Sequence, residues 1–136
     1  MSAKKTVRFC TTALLLGVVF ALALTGCKPK LLTVNGTVLN DGQPLPVGPT
    51  GSILVTLVPN VAPGAEYTTY PGYPDNATGK FTLTEIPPGK YTVAVEQNDP
   101  LPGDDKLKGK FSTKNTTIVR EIVDEKTPLT IDLAMP

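Results

Sequence analysis

After position 27 no segment of this chain repeats its apolar residues with the 3.6-residue period of an amphipathic helix; what recurs is short alternation with a period of two. Such runs fall at Leu32–Leu39, Lys80–Ile86, Lys90–Glu96, Thr117–Val123 and Leu129–Leu133, with a weaker one at Glu66–Tyr70, and a continuous apolar run stands at Ser52–Pro59. Between them lie turn-forming clusters such as Asn40-Asp41-Gly42-Gln43-Pro44 and Pro71-Gly72-Tyr73-Pro74-Asp75, and the chain holds 14 Pro and 12 Gly. Seven short strands with turns at this spacing predict an all-β fold, an antiparallel seven-stranded sandwich of Greek-key type.

The alternation assigns faces. Val34, Gly36 and Val38 share one side of the first strand, Phe81 and Leu83 point inward from the fourth, and Tyr91, Val93 and Val95 from the fifth. Ser52–Pro59 is apolar on both sides, which predicts a central strand covered from two directions and ended by Pro59. Pro87-Pro88-Gly89 is expected to join the fourth and fifth strands as a paired hairpin.

Ahead of the alternating region stands a different kind of segment. Residues 1–8 are short and basic, with Lys4, Lys5 and Arg8, and residues 9–24 form an apolar run. That order is the order of an export signal, expected as a helical signal peptide over 1–26. The run includes Thr11 and Thr12 and is shorter than the roughly 20 residues that a permanent span requires. Leu24-Thr25-Gly26-Cys27 at its end matches the bacterial lipobox: an aliphatic residue, two small residues, then Cys. Resemblance to that motif implies lipid transfer to the Cys27 thiol and cleavage between Gly26 and Cys27. Cys10 would leave with the signal, so no disulfide can form within the mature chain. The expected organisation is a signal at 1–26, a lipidated Cys and tether at 27–31, and a sandwich domain at 32–136.

All 12 acidic residues lie beyond Cys27, whereas Lys4, Lys5 and Arg8 lie before it, so the folded portion lacks the basic excess that nucleic-acid binding demands. The chain has no His, which removes the commonest general base and metal ligand together. No catalytic residue, metal or cofactor is expected. The acidic stretch Asn98-Asp99-Pro100-Leu101-Pro102-Gly103-Asp104-Asp105 fits no calcium-loop spacing and has Lys106, Lys108 and Lys110 beside it, which predicts a solvated loop. Tyr67, Tyr70 and Tyr73, interleaved with Pro71 and Pro74, form a candidate binding loop, because exposed aromatic rings are favoured at contact surfaces. Asn76-Ala77-Thr78 has the form of a glycosylation acceptor, but behind a lipobox it is expected to be an Asx-type turn.

Val34-Asn35-Gly36-Thr37-Val38, Asp41-Gly42-Gln43-Pro44-Leu45, Gly79-Lys80-Phe81-Thr82-Leu83 and above all Ile86-Pro87-Pro88-Gly89-Lys90-Tyr91-Thr92-Val93 resemble the carboxypeptidase regulatory-like domain, a transthyretin-like β-sandwich. With the lipobox, the chain is similar to small transthyretin-like lipoproteins of planctomycete-type bacteria. It departs from them at Lys108-Gly109-Lys110-Phe111, where an Ile-Pro-x-x-Tyr segment often stands. The resemblance implies an envelope lipoprotein whose module is not an enzyme and serves a structural or partner-binding role. It would be held to the membrane through Cys27, the outer membrane favoured by Lys28, with an envelope protein or polysaccharide as partner. Two alternatives share the sandwich: a small-ligand carrier of transthyretin type, and a hydrolase of the transthyretin-related class, which relies on His.

Overall fold

The computed structural model describes residues 29–135; Cys10, Gly26 and Cys27 lie outside the described residues, as does the expected signal helix. Within that range the chain forms eight strands and no helix: β1 (Leu32–Asn40), β2 (Gln43–Pro44), β3 (Ser52–Pro59), β4 (Tyr70–Gly72), β5 (Lys80–Ile86), β6 (Gly89–Asn98), β7 (Val119–Ile122) and β8 (Leu129–Asp132). The additional strand is β2, a two-residue return after the Asp41-Gly42 turn, where both turn residues take positive φ.

Two four-stranded sheets result. In the first, β1 pairs with β5 from Leu32 to Thr37 and with β8 from Gly36 to Leu39. These registers overlap at Gly36 and Thr37, so β5 and β8 occupy opposite edges of β1. β2 continues the β5 edge at Leu39 and Asn40. The second sheet has the order β4-β3-β6-β7, antiparallel throughout. Alternate residues of both sheets meet in one apolar core: Val34 and Val38 of β1, Phe81, Leu83 and Ile86 of β5, and Ile131 of β8 against Ile53, Val55 and Leu57 of β3, Val93 and Val95 of β6 and Ile122 of β7.

Three expectations are corrected. The sheets are not antiparallel everywhere, because β8 runs parallel to β1. The reason is directional: β7 runs toward the end of the sandwich where β1 begins, the chain crosses sheets there, and β8 must set out alongside β1 in the same sense. Nor do β5 and β6 pair as a hairpin; β5 pairs with β1 and β6 with β3 and β7, so Pro87 and Pro88 carry the chain from one sheet to the other. The strand expected at Glu66–Tyr70 lies instead at Tyr70–Gly72, an edge position where Pro71 costs little because one side of β4 has no partner. β3 is central as expected, yet only Ile53, Val55 and Leu57 are fully buried; Leu54, Thr56 and Val58 on its outer face are half-buried.

The crossings define two ends. At one end sit the start of β1, the 60–69 connection, the Pro87-Pro88 crossing and the 123–128 connection, since Leu32 is opposite Ile86, Pro59 opposite Tyr91 and Ile122 opposite Gly89. At the other sit the Asp41-Gly42 turn, the approach to β3 around Thr50, the Asp75–Gly79 turn and Leu101, whose N–H donates to the Thr50 carbonyl. The first is the end from which the chain leads back toward Cys27.

Candidate functional site

The three candidate tyrosines do not form one surface. Tyr70 belongs to β4, is half-buried, and meets Tyr91 edge to face with ring centroids 6.0 Å apart and planes at 78°. Tyr91 is buried, and its hydroxyl donates to the Pro87 carbonyl four residues upstream. Burial, and secondarily the Tyr70 phenol, push the Tyr91 hydroxyl above its ordinary pKa. This bond ties the base of β6 to the inter-sheet crossing, much as the tyrosine corner of other β-sandwiches does. Tyr91 and Tyr70 thus support the end of the sandwich rather than display rings.

Tyr67 is exposed and shares with Tyr70 an open groove of about 520 Å³ at the β1-start end, lined also by Pro59, Val61, Pro87 and Pro88. The preceding residues Val61-Ala62-Pro63-Gly64-Ala65 are all exposed and carry no charge. Alternation does not mark this loop; its signal in the sequence is an uncharged run inside a turn-rich stretch. Leu31 and Val123 are exposed at the same end.

Tyr73, the most exposed of the three, lies elsewhere, in a groove of about 610 Å³ with Asn35, Thr37, Asp75, Lys80 and Thr82. The outward residues of β1 and β5 are polar here, the Thr82 hydroxyl donating to Asn35 Oδ1 over 2.8 Å, and Gly36, Phe81 and Pro128 complete the lining. Asp75 Oδ1 accepts from the Ala77 and Thr78 N–H groups and from the Thr78 hydroxyl, at 3.1, 2.9 and 2.8 Å. The Thr78 hydroxyl and N–H hold the Asp75 carboxyl below the usual carboxylate range. The expected Asx-type turn is therefore present but built one residue earlier, on Asp75. The Asn76 side chain instead donates to the Gly51 carbonyl, 2.9 Å away.

The acidic stretch is a brace. Asp99 Oδ2 accepts from the Gly48 N–H at 2.7 Å, joining the loop to the approach to β3. Asp105 Oδ1 accepts from Gln97 and Leu107, and its Oδ2 from Gly109, at 2.8, 3.0 and 2.8 Å. Lys106 and Lys108 share its surface. Among the described residues no three His, Cys, Asp or Glu side chains gather as a metal site. Where the resemblance expected Tyr, Phe111 is buried in the core, with Lys110 Nζ 4.8 Å from its ring centre. Comparisons of the chain with protein-family models, with curated proteins and with solved structures found no match.

Proposed function

We propose that this chain is a lipid-anchored envelope lipoprotein whose β-sandwich is a non-enzymatic module, of the carboxypeptidase regulatory-like and transthyretin-like type, with a structural or partner-binding role. One observation carries the reading: Leu24-Thr25-Gly26-Cys27 closes an apolar run, and a sandwich with its own core begins five residues later at Leu32. Two small residues ahead of Cys let an extended backbone enter a narrow protease site, and the thiol is the nucleophile that lipid transfer needs. Two or three acyl chains then hold a protein stably, whereas a single chain binds reversibly at about 0.8 kcal/mol per buried CH₂. Support for the sandwich type comes from Ile86-Pro87-Pro88-Gly89-Lys90-Tyr91, which serves as the crossing between sheets, and from the two-sheet core. The partner, an envelope protein or polysaccharide, would meet the polar groove of Asn35, Thr37, Thr82 and Tyr73.

The test is Cys27→Ser in the full chain expressed in a bacterial host, followed by labelled-palmitate incorporation and by size. Loss of label with accumulation of the unprocessed precursor is expected. A mutant that is still labelled, or that keeps its membrane retention and processed size, rules the reading out.

A further inference from the structure

The uncharged loop Val61–Ala65, with Tyr67, Leu31 and Val123, belongs to the end of the sandwich at which β1 begins. Leu31 is 48% exposed, Val61 45%, Tyr67 57% and Val123 63%. Exposed apolar residues on a soluble end of a domain are ordinarily scattered, and a loop of five consecutive uncharged exposed residues invites a contact. The occupant follows from the length of chain leading to Cys27. Only residues 28–31 intervene before Leu32, so the Cα atoms of Cys27 and Leu32 are at most ~18 Å apart. β1 rises ~30 Å over its nine residues at about 3.4 Å each, so its far end lies beyond that tether when the first end is held at the bilayer.

We infer that this end of the sandwich docks on the lipid bilayer, with the Val61–Ala65 loop, Tyr67 and Val123 resting in the headgroup and acyl boundary and the Asp41, Asp75 and Leu101 loops held away from it. This rests on the lipidation of Cys27 proposed above. The chemistry suits the site. Tyr is favoured where one side of a ring is apolar and its hydroxyl wet, and an interfacial contact needs an apolar surface without buried charge. Of the neighbouring carboxylates, Asp124 accepts from the Lys126 and Thr127 N–H groups and Glu125 lies 3.9 Å from Lys30, while exposed Glu66, between the loop and Tyr67, shares its groove with Lys90 and would stay among the hydrated headgroups. The short tether and the apolar loop would together fix orientation, which a lipid on a flexible tether alone would leave free.

The chain contains no Trp, so a single introduced Trp reports its own depth. Full-length variants Tyr67→Trp, Val123→Trp, Leu101→Trp and Thr130→Trp, each at an exposed position, are expressed with processing, weighed by mass spectrometry, and reconstituted into phosphatidylethanolamine and phosphatidylglycerol vesicles with brominated acyl chains. Trp at 67 and at 123 is expected to lose roughly half or more of its emission, most strongly to bromines near the headgroups, as befits rings ~5–10 Å deep. Trp at 101, on the far end, and at 130, on the outer face of the first sheet, is expected to stay unquenched. Acylated protein with no quenching at 67 and 123, or with equal quenching at 101 or 130, overturns the docking while leaving the lipoprotein reading standing. Protein whose mass carries no acyl groups overturns both.

Discussion

Glu85 is the residue at which a simple alternation fails, and the failure is informative. Phe81 and Leu83 point into the core, so strict period two would send Glu85 there next. Instead the register shifts: Leu32 faces Ile86 while Val34 faces Leu83, leaving Thr84 and Glu85 together opposite Thr33. Glu85 takes φ of 60°, both it and Thr84 stay exposed, and Ile86 is returned to the core fully buried. A non-glycine residue in the left-handed region costs about 1–2 kcal/mol, and the glycine that relieves it loses about 0.5–1 kcal/mol in unfolded-state entropy. Glu85→Gly is therefore expected to raise stability by ~0.5–1 kcal/mol and Glu85→Ala to give no gain, read from urea midpoints. A loss of stability in the glycine variant would show that the Glu85 backbone is not under strain. Gly36 obeys the opposite logic: the ring of its cross-strand partner Phe81 lies over it, and any Cβ there would overlap that ring.

At the scale of elements, the segment from 99 to 118 does the work of a strand without being one. β7 covers β6 only from Gly89 to Thr92, so the β6 edge beyond it needs other partners. The loop supplies them: Ile118 and Phe111 carbonyls accept from the Val93 and Val95 N–H groups, and Asp105 accepts from Gln97. Phe111 and Ile118 meanwhile plug the core alongside half-buried Leu107. Asp105 organises this segment through its three acceptor bonds, so Asp105→Ala is expected to cost about 2–4 kcal/mol, since donors left unmatched lose charge-assisted bonds. Hydrogen exchange should show the Val93 and Val95 amides losing protection before those of the β6–β7 pairing; equal loss along all of β6 would contradict a local role. What the sequence made legible follows the same division. Alternation marks β1, β5, β6 and β8, because burial on one face writes itself into every second position, and a continuous apolar run marks β3 without saying which of its faces is the inner one. The brace is illegible, because its hydrogen bonds run from backbone N–H groups to the Asp99 and Asp105 carboxylates and to loop carbonyls, and leave no period. The crossing between β5 and β6 is illegible for a related reason: Pro-Pro-Gly specifies a reversal, while whether the next strand stays in the same sheet depends on β1 and β3, distant in sequence. The tyrosine loop was one stretch of sequence, but the β4 edge divides Tyr67 from Tyr73 and turns Tyr70 toward Tyr91.

For the molecule as a whole, three aspartates pin turns at both ends, and each contributes to how it withstands acid. Asp75 closes the β4–β5 turn and Asp124 the β7–β8 turn, while Asp132 at the end of β8 accepts from Asp41 and Gly42 at 3.0 and 2.9 Å, tying the last strand to the β1–β2 turn. Each carboxyl is held below the ordinary 3.8, chiefly by Thr78 for Asp75, by the Thr127 N–H for Asp124 and by the Ala134 and Gly42 N–H groups for Asp132. A folded pKa below the unfolded one means that the unfolded chain binds protons first, so the stability these groups contribute is complete above the unfolded value and is lost as pH falls through the folded values. The cooperative urea midpoint is thus expected to hold steady down toward 3.8 and to decline below it. Asp132→Asn should lower the midpoint slightly at neutral pH and make the acid decline shallower, since one of the three titrations is gone. An unchanged acid slope in that variant would mean that the bond between the last strand and the first turn does not contribute to the stability of the fold.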